Sequence, residues 1–111
     1  MSERFRVVWT DVAVNDLLAI VDYVADHHGV GAAEDLYQRV RDAAETLETM
    51  PRRGRVVPEL SAEGIHTYRE LLVGPYRVVF GLRGSDAVVF AAVDGRRDLA
   101  ELLVERALRR P

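Results

Sequence analysis

The sequence predicts an α+β domain of order β-α-α-β-β-β-α, with a mostly antiparallel sheet and a helical hairpin on one face. Three observations carry this. Residues 4–9 alternate over one short run, and residues 13–50 hold two apolar stripes at helical spacing. Residues 68–97 then form three apolar runs separated by two turn signals. With 111 residues the chain is expected to be a single domain able to bury one core without staples.

The first strand is expected over Arg4–Trp9, with Phe5, Val7 and Trp9 on one face. Thr10 or Asp11 then caps a helix whose stripe is Ala13, Leu17, Ile20, Val21 and Val24. Gly29, after His27-His28, supplies its left-handed C-terminal residue. A second helix runs from about Gly31 to Met50, with Leu36, Val40, Ala43, Leu47 and Met50 on its inner face, and Pro51 stops it. Two amphipathic helices joined by a short glycine turn make an antiparallel hairpin.

Pro51–Pro58 reads as a basic loop carrying Arg52, Arg53 and Arg55, and Glu59–His66 as irregular chain. The meander follows, broken at Gly74-Pro75 and at Arg83-Gly84-Ser85-Asp86. In the strand 76–82, Tyr76, Val78, Phe80 and Leu82 point one way, and Arg77, Val79 and Gly81 the other. The strand 87–93 is apolar on both faces, as a central, doubly covered strand would be. A last helix from about Asp98 to Leu108 turns Leu99, Leu102, Leu103 and Ala107 inward.

Several kinds of chemistry are excluded. There is no cysteine, hence no disulfide and no thiolate ligand or nucleophile. Adjacent His27 and His28 diverge on a helix and His66 stands alone, so no metal site is expected. Ser2, Ser61 and Ser85 lie in no nucleophile motif, and no glycine-rich phosphate loop joins a strand to a helix. No cofactor is expected. Without an apolar run of 18 residues or a signal sequence, no membrane association is expected and a cytoplasmic location is.

What remains is arginine. All 15 basic residues are arginine, and the charge is split along the chain. Residues 1–50 hold 4 arginines and 10 acids, whereas residues 51–111 hold 11 and 8. The candidate binding residues are Arg53, Arg55, Arg69, Arg77, Arg96 and Arg97, set in or beside an apolar sheet. The plain alternative is that they pair with Glu59, Glu70, Asp94 and Asp98. For Arg77, alternating with core residues, a binding role is preferred. Arg77→Gln is then expected to leave the melting temperature nearly unchanged, since a surface ion pair is worth about 0–1 kcal/mol.

The run Tyr68-Arg-Glu-Leu-Leu-Val-Gly-Pro-Tyr-Arg-Val-Val-Phe80, followed by Val88-Val-Phe-Ala-Ala-Val-Asp-Gly-Arg-Arg-Asp98, resembles the core of the RelE/ParE toxin superfamily. So do Trp9-Thr-Asp at the head of the first helix and Gly54-Arg-Val-Val-Pro-Glu59. The likeness spans nearly the whole chain and is nearer the ParE-like branch. It implies a bacterial type II toxin, neutralised by a cognate antitoxin and inhibiting DNA gyrase by contact, with no direct DNA binding by the toxin alone.

RelE-like relatives instead cut messenger RNA on the ribosome. On that pattern Arg77 and Arg97 fall on the two arginines and Arg69 on one lysine. The second lysine falls on Leu71, and the tyrosine near the last helix on Leu103. Phosphate-stabilising charge remains, but the groups that would move protons are replaced, leaving His66 or Tyr68 as substitutes. The alternatives are thus a ribosome-dependent nuclease or a non-toxic member that only binds its antitoxin.

Overall fold

The computed structural model describes residues 4–109. Its elements are β1 (Arg6–Trp9), α1 (Asp11–His28), α2 (Val30–Glu45), β2 (Arg55–Val56), α3 (Pro58–Ala62), β3 (Tyr68–Val73), β4 (Tyr76–Arg83), β5 (Asp86–Asp94) and α4 (Ala100–Arg109). The predicted α+β order holds. Two short elements, β2 and α3, interrupt stretches expected to be loop.

The five strands lie in the order β1-β5-β4-β3-β2. β2 to β5 pair antiparallel, and β1 joins β5 in parallel with Arg6 opposite Asp86. α1, α2 and the turn that follows α2 cover one face through Ala13, Leu17, Val24, Leu36, Val40 and Leu47, which meet Val78, Phe80 and Val89. α3 and α4 cover the other, where Leu60, Leu99 and Leu103 meet Val79, Phe90 and Val93. The sheet is thus shared between two apolar layers.

The doubly apolar character of β5 has a local cause. Val79 pairs with Ala91 and Phe80 with Val89, so Phe90 is the extra residue of a bulge. Before it, Ala87 and Val89 face the helical hairpin. After it, the alternation is offset, and Phe90, Ala91 and Val93 all belong to the α3–α4 side.

Thr10 caps α1, its hydroxyl accepting from the Ala13 N–H at 3.1 Å. Gly29, with φ +93°, links the two helices. α2 stops at Glu45 and tightens into a 3₁₀ turn over Thr46–Glu48. That change of winding keeps Leu47 buried but carries Met50 out to solvent, so Met50 does not belong to the inner stripe. α3 was expected to be irregular. Pro58 at its first position and the buried Leu60 form it, in five residues too few to leave a periodic signal.

Candidate functional site

The six candidate arginines do not form one cluster. Arg77 is internal, Arg53, Arg55 and Arg69 gather at the β2–β3 edge, and Arg96 and Arg97 follow β5.

Arg77 sits on the α3–α4 side of β4 with only 6% of its surface exposed. Its Nε donates to Glu70 Oε1 at 2.7 Å. Its Nη1 and Nη2 donate to the two carboxylate oxygens of Glu59 at 2.6 and 2.5 Å. Glu70, 1% exposed, also accepts from Arg55 Nε at 2.6 Å. A chain of alternating charge therefore runs Glu59–Arg77–Glu70–Arg55, from α3 across β4 and β3 to β2. The bidentate hydrogen bond to Glu59 raises the Arg77 pKa further, and the same bond holds the Glu59 carboxyl below its ordinary value.

Gly95 closes the site from the far side. Its N–H donates to the Pro75 carbonyl at 2.8 Å. A β-carbon there would come within 2.8 Å of Arg77 Cδ. Only glycine lets the turn after β5 lie over the arginine stem.

This overturns one expectation. Arg77 is not a surface charge of marginal value to folding. It is the buried centre of an ion-pair network, and taking it away leaves the buried Glu70 with Arg55 alone. Glu59 and Glu70, anticipated only as alternative partners, are the residues that hold it.

At the β2–β3 edge, Arg55 is half exposed and bound to Glu70, and the Arg69 guanidinium donates to the Gly54 carbonyl at 3.3 Å. The exposed Arg53 has no ion-pair partner among the described residues. Arg53, Arg55, Ala43, Leu71 and the exposed Leu72 line a hollow of about 330 Å³ together with Glu70, whose carboxylate is already engaged by Arg55 and Arg77. The edge thus offers a cationic rim around an apolar floor, suited to an acidic, partly apolar segment. Arg52 stands apart, its guanidinium 5.9 Å over the ring of Phe5.

Beyond β5, Arg96 forks onto Asp94 with Nε and Nη2 at 3.0 and 2.8 Å, and its own N–H donates to the same carboxylate at 2.9 Å. These bonds hold the Asp94 carboxyl down to about 2. Arg97 is exposed, and its guanidinium has no ion-pair partner among the described residues.

The positions that would move protons in a nuclease are closed. Leu71 packs into the hairpin-side core and Leu103, 0% exposed, into the other. The Tyr68 ring lies 4.6 Å from that of Phe90 and fills the space over Gly81. His66 is exposed and hydrogen-bonded through Nδ1 to Ser61 Oγ at 3.1 Å. Among the described residues no group of His, Asp and Glu side chains is placed to hold a metal ion, and no helix is long and apolar enough to cross a membrane.

One residue escaped sequence reasoning. Asp16 of α1 accepts both Arg106 guanidinium nitrogens from α4 and the Ala92 N–H of β5, the latter at 3.0 Å. β1 ends opposite Val89, so Ala92 has no strand on that side and the carboxylate takes the strand's place. Its partners lie 76 and 90 residues away, and nothing in the local sequence marks it.

The family described as ParE toxin of type II toxin–antitoxin system, parDE, matches residues 7–100. The chain is 32% identical to Toxin ParE3 of Caulobacter vibrioides over 98 residues, covering 88% of this chain and 94% of that protein. It is 38% identical to Toxin RelE2 of the same organism over 74 residues, 67% of this chain and 75% of that one. A chain of the chromosomal ParDE TA system from P. aeruginosa has the same fold. Its TM-score is 0.68 at 21% identity, over 84% of this chain and 98% of that one.

Proposed function

Because this chain belongs to the ParE toxin family of type II toxin–antitoxin systems, we propose that it inhibits DNA gyrase by binding it, without cutting RNA, until a cognate antitoxin covers it. One observation carries the choice between contact and cleavage. Of the two arginines that match the nuclease pattern, Arg97 is exposed, but Arg77 has all its charged contacts spent on Glu59 and Glu70. A phosphate entering at Arg77 would have to displace two carboxylates and would meet their charge. With Leu71 and Leu103 buried, the acids that flank it are Glu59 and Glu70, both engaged with the arginine itself, so neither a free phosphate-binding arginine nor a free proton-transfer group is offered there. A protein contact requires neither.

Surfaces for such contacts are available on both sides of the hairpin. Val14, Leu18, Tyr23 and Val30 are exposed on α1 and at the start of α2. The rim of Arg53 and Arg55 around Leu72 supplies cationic anchoring at the sheet edge. An antitoxin segment of apolar and acidic residues fits the two together. Co-expression with the adjacent small open reading frame is expected to yield a soluble complex; separate elution at micromolar concentration counts against the partner.

The similarity to RelE2 favours a second reading, a ribosome-dependent nuclease with the exposed His66 as base. Gyrase supercoiling and codon-specific cleavage of a labelled message in a translating extract separate the two. Inhibited supercoiling with an intact message is expected. Cleavage with normal supercoiling supports the nuclease, and silence in both assays supports a member that only binds its antitoxin.

A further inference from the structure

We propose that the groove between α3 and α4 is a second docking site, and that its occupant is a basic amphipathic helix of a partner protein. The inference is independent of the gyrase reading. The groove lies on the sheet face opposite the helical hairpin, and no arginine lines it among the described residues, although Glu59, held by Arg77, borders it.

The hollow measures about 940 Å³, large enough for several side chains. Its floor is apolar, with Ala62 from α3 and Val104 and Leu108 from α4. Leu108 is 72% exposed and continues the apolar floor of the groove to its outer end among the described residues. Both walls are acidic. Glu63 closes the α3 side, and Glu101 and Glu105 lie one turn apart on α4.

Glu63 and Glu101 have no ion-pair partner among the described residues, and Glu105 meets only Arg109 on its own helix. Glu59, which also borders the groove, is already bound to Arg77. An apolar floor between two acidic walls is complementary to a helix with a leucine-like stripe flanked by Lys or Arg. The negative rim disfavours nucleic acid and anionic membrane. A second copy docking the same face would set glutamate against glutamate, since a two-fold contact uses one patch twice.

The probe is a labelled 16-residue peptide with leucines at i, i+3, i+4 and i+7 flanked by arginines. Its control is a scramble of identical composition. Anisotropy is read with the intact protein at low and physiological salt. The amphipathic peptide is expected to bind at least about tenfold tighter than the scramble. Glu63→Lys with Glu101→Lys should weaken it about tenfold, as should Leu108→Ser, with circular dichroism unchanged. Asp22→Lys with Glu34→Lys on the hairpin should not. Equal binding of the scramble, or equal loss from the hairpin changes, overturns the site. So does a dimer in light scattering that Leu108→Ser dissolves, which would assign the groove to a second copy.

Discussion

Glu70 is a carboxylate with almost no water around it, and two guanidiniums replace that water. Arg77→Gln removes the buried one and leaves a partly compensated charge in the sheet. We expect a loss of about 3–5 kcal/mol in urea unfolding, where Arg97→Gln, on an exposed side chain with no ion-pair partner among the described residues, changes the midpoint little. Replacing Arg77 by Met together with Glu70 by Leu should recover much of that loss, since a buried pair exchanged for packed apolar groups is often near neutral. Acid should act on the same residues. Glu59 and Asp94 have carboxyl pKa values lowered by Arg77 and Arg96, so their contribution is complete above their unfolded values of 4.5 and 3.8. It declines as pH falls below them, for Asp94 down to about 2. Urea midpoints measured from pH 6 to pH 2 should fall in that window, and Arg96→Gln should flatten the lower part. The sequence made Arg77 conspicuous, because a charge alternated with Val and Phe. It could not say which acids would hold Arg77, since Glu70 and Glu59 lie 7 and 18 residues away on other elements.

Among the elements, α4 is attached by more than its leucines. The Asp16 carboxylate joins α1, α4 and the uncovered side of β5 in one contact. Asp16→Ala should therefore do two things at once. The Ala92 amide should exchange with solvent faster, and α4 should become more sensitive to protease, with a loss of about 1–3 kcal/mol for the orphaned donors. A slow Ala92 amide in the variant would mean that packing alone holds the edge. The helices and the three meander strands were legible because each repeats a 3.6 or 2-residue period several times. β2 and α3 were not, because two and five residues are too few to show one. Met50 leaves the stripe because the helix changes winding at Thr46, before Pro51, and a 3.6-residue period carries no sign of that change.

At the scale of the molecule, both cores depend on one sheet. Leu103→Ala in the α4-side core is expected to cost about 2–5 kcal/mol and yet leave a single unfolding transition, monitored by tryptophan emission and circular dichroism together. Val89→Asp, a carboxylate in the hairpin-side core without a partner, should abolish the folded state altogether. Strand directions within the meander followed from its short turns, but the place of β1 did not, because a four-residue run carries no record of which edge it will join. That edge has a temporal meaning. β1 is the first strand made and its partner β5 the last, with Arg6 bonded to Asp86 across 80 residues. Local pairing can begin anywhere in the meander, but the sheet closes only when almost the whole chain is present. A ribosome that stops before Asp94 leaves Trp9 and the α1 stripe without the strand they pack on. Premature termination should thus give a degraded chain rather than a smaller active one, and the interval of synthesis is one in which this protein has no finished surface to present to anything.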